Sequence, residues 1–145
     1  MEKKNEMCLE FDSRSINEGF ARVAVAAFLA ELNPTLDELA DVKTAVSEAV
    51  TNAIIHGYEN EMGKVSLRCR IDGELIEILI SDTGKGIENV EQAKTPFFTT
   101  KPELERSGMG FAFMEAFMDD VQVESELGKG TTVCMKKRIG RKDDC

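Results

Sequence analysis

The length, composition and charge of the chain exclude several classes of protein. Its 145 residues suit a single domain, and a hydrophobic content of 42% excludes an intrinsically disordered chain. The net charge of −9 disfavours direct binding to nucleic acid or to an anionic membrane. No signal peptide or membrane-spanning stretch is recognisable, so we expect one cytoplasmic domain over residues 1–145, with a frayed tail over 140–145.

The first part of the chain is predicted to form one strand and two helices. Alternating apolar residues in MCLEF predict a strand over 7–12. The segment INEGFARVAVAAFLAEL predicts a helix over 16–32 that is apolar on more than one face, which would allow it to bury surface against a second subunit. After the NPT break, Thr35 can cap a second helix over about 36–55.

The second part of the chain contains two hairpins, a long loop and a helix. VSLRCRI and ELIEILIS alternate and are joined at DG, which is typical of a hairpin. Residues 95–107 carry two prolines without periodicity, which is typical of a functional lid. A helix restarts at GMGFAFMEAFM, and VQVESEL and TTVCMKKRI form a last hairpin around GKG. This order predicts an α+β fold, with a mixed, mainly antiparallel sheet and helices on one face.

Three polar residues are spaced four apart on the predicted second helix. Glu48, Asn52 and His56 share one face, because residues four apart are neighbours on a helix surface. An unpartnered buried carboxylate is costly, so this face is either solvated or part of a site. We expect His56 to pack against the wall of such a site or to cap the helix end rather than to take part in chemistry.

Two glycine-rich segments are suited to binding a nucleotide. ILISDTGKGI ends a strand in Asp82, whose carboxylate can accept a hydrogen bond from an exocyclic amine such as that of adenine. Gly84 and Gly86 would let the backbone approach a flat base. RSGMGF places Gly108 and Gly110 at the start of a helix, where unpaired amides favour a phosphate.

Other motifs carry less information. GKGTTV places Thr131 and Thr132 on a strand, where a hydroxyl could meet a ring nitrogen or a water, although a plain hairpin is the alternative. Neither GKG belongs to a P-loop, because Gly-x-x-x-x-Gly-Lys-Ser/Thr does not occur in the chain. The four cysteines form no Cys-x-x-Cys pair, so we expect reduced thiols rather than a metal or redox site.

Taken in order, the asparagine helix, the Asp-x-Gly-x-Gly strand end, the lid and the Gly-x-Gly helix start resemble the ATP-binding domain of the GHKL superfamily, which includes gyrase, histidine kinases and MutL. This resemblance implies a two-layer sandwich with ATP and Mg²⁺ as cofactors. It implies that Asn52 binds magnesium, that Asp82 recognises adenine, and that the glycines and the lid hold the phosphates. Lys101 and Arg106 would close over the terminal phosphate or remain solvated. The implied nucleotide-binding residues are Asn52, Asp82, Gly84, Gly86, Thr99, Thr100, Lys101, Arg106, Ser107, Gly108, Met109, Gly110 and Thr132.

FARVAVAAFLAELNPT, VSEAVTNAIIHGY and FFTTKPELERSGMGF are similar to segments of a narrower family, the sporulation anti-sigma factors that act on sigma factor F. The resemblance implies a homodimeric serine kinase that captures sigma factor F when ATP is bound and phosphorylates a serine of an anti-anti-sigma factor. It implies that Glu48 is the catalytic base and that Glu18 and Arg22, within NEGFARV, contact the protein partners. Simple snorkelling of Arg22 is the alternative.

Other functions fit the sequence less well. A detached histidine-kinase catalytic domain is disfavoured because the chain has one histidine and no helical hairpin that could display an acceptor histidine. A gyrase-like ATPase would need a transducer domain that this length cannot hold. Glu48 argues against a module that uses ATP only to hold its partner. The alternative that stays open is a stand-alone GHKL kinase or ATP-gated binding module acting on a different sigma factor or on a two-component partner.

Overall fold

The structure is a computed structural model, and it describes residues 4–57, 62–84 and 110–140. In these ranges the chain forms strands and helices of the predicted types. None of the helices in these ranges is long and apolar enough to cross a membrane. The elements in chain order are β1 (Lys4–Asp12), α1 (Ile16–Leu29), a 3₁₀ turn (Ala30–Leu32), α2 (Leu36–Asn52), a π-helix (Ala53–Gly57), β2 (Lys64–Asp72), β3 (Leu75–Asp82), α3 (Gly110–Phe117), β4 (Asp120–Glu126) and β5 (Gly130–Arg138).

The strands form one sheet in the order β1-β2-β3-β5-β4. All four pairings between the described strands are antiparallel, so the mixed, mainly antiparallel sheet of the prediction is wholly antiparallel in these ranges. Side chains alternate strictly along β2 and β3, with one set buried and the other more exposed. The buried set packs with residues of all three helices in a single hydrophobic core. This confirms the α+β prediction of a sheet with helices on one face.

Helix α1 contributes to the core through one narrow face. Its buried residues, Ala21, Val25 and Leu29, are spaced four apart and therefore form one stripe. The predicted helix over 16–32 forms, but it tightens into the 3₁₀ turn after Leu29 and ends at Asn33, which adopts a left-handed conformation with φ of 52°. Asparagine tolerates this conformation better than most residues do.

Helix α2 begins with a complete capping box. The Thr35 hydroxyl accepts a hydrogen bond from the Glu38 backbone N–H at 3.1 Å, and the Glu38 carboxylate accepts one from the Thr35 N–H at 2.8 Å. This confirms the predicted cap. The end of the helix differs from the prediction, because α-helical geometry stops at Asn52 and a π-helix continues to Gly57. The α-helical spacing of the polar stripe is therefore retained from Glu48 to Asn52 but not as far as His56.

The cysteines in the described ranges are free thiols. Cys69 lies in the core between the sheet and the helices, and burial raises the pKa of its thiol to about 12. A thiol with such a pKa stays protonated and unreactive at neutral pH. Cys8 is exposed and Cys134 is half-buried, whereas Cys145 lies outside the described residues.

Candidate functional site

Two residues of the polar stripe meet the start of α3. Glu48 and Asn52 lie one turn apart on α2, and both are partly buried. A Cβ atom built on Gly110 would lie 3.1 Å from Asn52 Nδ2 and 3.3 Å from Glu48 Oε2. The two polar side chains therefore reach the first residue of α3, and glycine at this position leaves room for them. The structure thus brings the predicted base and the predicted magnesium ligand to the end of the Gly-x-Gly motif.

Asp82 ends β3 as an enclosed carboxylate. It follows the alternation of the buried isoleucines of β3, so its side chain lies on the helix face of the sheet with only 8% of its surface exposed. The Gly84 backbone N–H donates a hydrogen bond of 2.9 Å to Asp82 Oδ1, which is the local turn that an aspartate two residues before a glycine favours. This bond fixes the orientation of the carboxylate.

The electrostatics of Asp82 reflect its enclosure. Burial raises the pKa of the Asp82 carboxyl, and hydrogen bonds from the backbone N–H groups of Gly84 and Thr131 act in the opposite direction. Since the net pKa shift is upward, desolvation outweighs the two hydrogen bonds. A desolvated acceptor gains more than a solvated one when a ligand donates a hydrogen bond to it.

The strand register places only one of the two adjacent threonines on the face of Asp82. Asp82 pairs with Thr131, and Ser81 pairs with Thr132. Because neighbouring residues of a strand point to opposite faces, Thr132 lies on the far side of the sheet, where its hydroxyl is 3.0 Å from that of Ser81. The structure therefore does not bring Thr132 to Asp82. Thr131 lies on the Asp82 face, with its hydroxyl 2.8 Å from that of Ser125.

Gly130 allows β5 to approach the end of β3. It adopts a φ of 112°, and a Cβ atom here would overlap the backbone carbonyl oxygen of Asp82. No other residue type combines this conformation with such a close approach. Glycine at position 130 is therefore needed for β5 to bring Thr131 beside Asp82. The sequence TT alone does not show which threonine faces the site, because that depends on the register with β3.

The predicted partner residues lie on α1. Arg22 Nε is 3.2 Å from Glu18 Oε2, and the Ser47 hydroxyl of α2 donates a hydrogen bond of 2.8 Å to that same oxygen. Around this cluster, α1 exposes an apolar stripe: Ile16 is 72%, Phe20 55% and Val23 62% exposed. Arg22 thus contacts a carboxylate, which the alternative of simple snorkelling does not include.

Several predicted residues lie outside the described ranges. The lid over 95–107 falls there, and nothing is added to its prediction. The individual residues concerned are Gly86, Thr99, Thr100, Lys101, Arg106, Ser107, Gly108 and Met109.

Comparison with known proteins places this arrangement in a family. The sequence pattern described as the histidine kinase-like ATPase domain matches residues 11–137. The anti-sigma F factor of Clostridium kluyveri is 62% identical over 133 residues, which cover 92% of this chain and 94% of the relative. The anti-sigma F factor of Geobacillus kaustophilus is 60% identical over 139 residues, which cover 95% of each protein.

Solved structures with the same fold are more distant in sequence. A Mycobacterium tuberculosis structure of RsbU and RsbW domains superposes with a TM-score of 0.70 at 20% identity, covering 95% of this chain and 33% of the other. The catalytic domain of the histidine kinase ThkA superposes with a TM-score of 0.55 at 18% identity, covering 92% and 96%. The fold is therefore that of GHKL-type ATPase domains. By the family pattern over 11–137 and by relatives of 60% identity and more, the chain belongs to the histidine kinase-like ATPase domains and, among them, to the anti-sigma F factors.

Proposed function

We propose that the protein is an ATP-dependent serine kinase and anti-sigma factor of the cytoplasm, which binds and inhibits sporulation sigma factor F when ATP is bound and phosphorylates a serine of an anti-anti-sigma factor. The observation that carries the proposal is the contact of Glu48 and Asn52 with the start of α3 at Gly110. The names of the relatives, which are anti-sigma F factors, support the choice of partners.

The described residues fit ATP and a magnesium ion. Asp82 offers an enclosed, oriented acceptor for the adenine amine, and Thr131 lies beside it. In the described ranges, no group of three or more His, Cys, Asp and Glu residues could hold a metal ion. Magnesium commonly takes only one or two protein oxygens, with phosphates and waters completing its shell, so the side-chain oxygen of Asn52 fits a single-ligand role. When bound, ATP would supply the phosphoryl group, and the magnesium ion would neutralise the negative charge of the phosphates.

The catalytic task of the chain is to orient a serine hydroxyl and to accept its proton. Glu48 lies one turn before Asn52 on the same face, so the proton acceptor and the metal ligand are held by one rigid helix. The Glu48 carboxylate would orient the serine hydroxyl and accept its proton, while bound ATP would supply the phosphoryl group and leave as ADP. Glycine at 110 keeps this corner open, because any larger side chain would press on both polar groups.

The outer face of α1 is proposed to bind proteins. Ile16, Phe20 and Val23 form an exposed apolar stripe of the kind that a second copy of the chain would cover in a homodimer. Glu18 and Arg22 lie on the same helix and are proposed to contact sigma factor F and the anti-anti-sigma factor. Competition of both partners for these residues would let phosphorylation of one partner govern capture of the other.

The test is to mix the protein with labelled ATP and either sigma factor F or an anti-anti-sigma factor. We expect label on a serine of the anti-anti-sigma factor and ATP-dependent retention of sigma factor F. Retention of a partner without label on any residue would instead indicate an ATP-gated binding module. Label on histidine, or neither label nor retention with these two proteins, would indicate a kinase or binding module for a different partner.

A further inference from the structure

A chain of three side chains connects α2 to the surface of α1. The Ser47 hydroxyl donates to Glu18 Oε2 at 2.8 Å, and Arg22 Nε lies 3.2 Å from the same oxygen. Glu18 is mostly buried, whereas Arg22 is roughly half exposed. The Glu18 carboxylate therefore links a hydroxyl on α2 to a guanidinium at the surface of α1.

The ion pair alone does not fix Arg22. Its Nε atom is shielded from solvent, yet it makes no hydrogen bond that meets ordinary alignment, so its contact with Glu18 is electrostatic and weakly directional. A glutamate four residues before an arginine on a helix has several rotamers that satisfy such a contact. The bond from Ser47 selects one of these rotamers, because it comes from a second helix and fixes where Oε2 must lie.

Gly19 lies directly beneath the Arg22 guanidinium. A Cβ atom on Gly19 would lie 3.7 Å from Arg22 Nη2, so the guanidinium lies over the bare backbone of α1 at that position. Glycine inside a helix costs about 1 kcal/mol relative to alanine. Contact at 3.7 Å is ordinary, and packing within the chain therefore does not demand glycine here. The helix thus retains an unfavourable residue directly beneath the side chain that Glu18 and Ser47 hold.

We propose that Ser47 is a positioning residue for docking of sigma factor F: its hydroxyl orients Glu18, and Glu18 in turn presents the Arg22 guanidinium to sigma factor F in one fixed geometry. This inference rests on the proposed function, because it takes the surface around Arg22 to be the docking site. It adds a residue of α2, the neighbour of Glu48 in sequence, to a surface that is otherwise formed by α1.

The first experiment measures the affinity of the full chain for sigma factor F in the presence of ATP. Ser47→Ala removes the hydroxyl, and we expect the dissociation constant to rise by about fivefold to tenfold, which is the order of the net contribution of one typical hydrogen bond. Ser47→Thr keeps a hydroxyl and should restore binding to within about twofold. Thr44→Ala removes a half-buried hydroxyl one turn earlier on α2 and should bind like wild type. ATP affinity, measured in parallel, should stay unchanged in all three variants.

A double-mutant cycle separates positioning from a general structural effect. Arg22→Ala should weaken binding by about thirtyfold or more, as expected of an arginine at the centre of an interface. Adding Ser47→Ala to Arg22→Ala should then cause a clearly smaller loss, because most of the effect of Ser47 passes through Arg22 and only the contact of Glu18 itself with the partner remains. Two outcomes would contradict the positioning role while Arg22→Ala still weakens binding. In the first, Ser47→Ala alone binds like wild type; in the second, Ser47→Ala weakens binding as much in the Arg22→Ala background as in wild type. Either outcome leaves the docking surface around Arg22 in place. If Arg22→Ala itself binds like wild type, the docking surface of the proposed function is wrong.

Discussion

The candidate site, which comprises the α2–α3 contact and the end of β3, and the outer face of α1 depart in opposite directions from the usual distribution of polar and apolar side chains. The first encloses polar groups, with Asp82 only 8% exposed and Glu48 reaching the start of α3. The second exposes large apolar side chains, such as Phe20 at 55%. Enclosing a carboxylate and exposing an aromatic ring both disfavour the isolated folded chain. Each departure therefore fits the proposed function, which places a polar ligand at the first region and a protein surface at the second.

The two regions are also held in place differently. Asp82 is fixed by backbone N–H groups and by the close approach of Gly130, so its position follows from the sheet itself. Arg22 is fixed by other side chains, namely Glu18 and, through it, Ser47. Substitutions in the first region should change nucleotide binding and chemistry, whereas substitutions in the second should change association. Because sigma factor F is proposed to bind only when ATP is bound, the separation applies at saturating ATP, where a variant that altered both would contradict it.

The largest effect is expected for Glu48→Gln. This variant keeps the shape of the side chain and removes the proton acceptor, so serine phosphorylation should fall by about two to four orders of magnitude while ATP and sigma factor F still bind. Phosphate transfer to the anti-anti-sigma factor, measured in single turnover, checks this. Glu124→Gln changes an exposed glutamate of β4 in the same way and should leave the rate unaltered. Wild-type transfer by Glu48→Gln would remove Glu48 from the role of base.

The next effect concerns the outer face of α1. Phe20→Ser should weaken the proposed homodimer, because a half-exposed ring that becomes buried on association contributes about 1–2 kcal/mol, and a symmetric dimer would contain two such rings. Sedimentation over a dilution series should show monomers at concentrations where wild type is dimeric. Leu127→Ser removes an apolar side chain that is 64% exposed in the β4–β5 turn and should not alter the dimer. Equal dissociation of both variants would show that the α1 stripe is not the dimer interface.

A smaller effect is expected for Asp82→Asn. The amide can point a donor at the adenine amine and so leave an enclosed polar group poorly paired, which should weaken ATP binding by about 1–3 kcal/mol. Calorimetric titration with ATP checks this, with the exposed Asp72→Asn as the matched control. Unchanged ATP affinity in Asp82→Asn would remove Asp82 from adenine recognition, and the enclosed carboxylate would then need another explanation.

Much of the fold could be predicted because it is encoded locally. Strict alternation in β2, the turn residues of the hairpins and the Thr35 cap each act within a few residues, and each matches the structure. The end of α2 could not be predicted in the same way. Residues 53–57 adopt a π-helix that packs against β3 and β5, and such tertiary contacts override a local helical pattern.

The arrangement of the candidate site could be predicted from the sequence where its residues repeat at a helical or turn spacing, but not where it depends on contacts between elements. Glu48 and Asn52 share a face by spacing alone, and Asp82 ends a strand that its alternation reveals. The prediction chose Thr132, whereas Thr131 is the threonine on the face of Asp82, because the β3–β5 register decides which of them lies there. Ser47 was missed as well, since its partner Glu18 lies 29 residues earlier on another helix.

The smallest expected effect is a pH dependence of stability that comes from Asp82. Burial raises the pKa of the Asp82 carboxyl above its ordinary value of 3.8, so the folded chain binds this proton more tightly than the unfolded chain does. The contribution of Asp82 to the free energy of unfolding is therefore greatest below pH 3.8 and declines as the pH rises through the pKa of the folded state.

Comparison of wild type with Asp82→Asn isolates this contribution from that of the other carboxyls. Urea unfolding of both nucleotide-free proteins at a series of pH values, from about 3 to about 7, gives the difference between their free energies of unfolding. This difference should shift in favour of Asp82→Asn as the pH rises, because only the wild-type chain must then enclose a charge. A shift in favour of wild type would mean that the N–H groups of Gly84 and Thr131 outweigh burial. The corner at Asp82 would then be stable in itself, and the contrast with the exposed face of α1 would no longer hold.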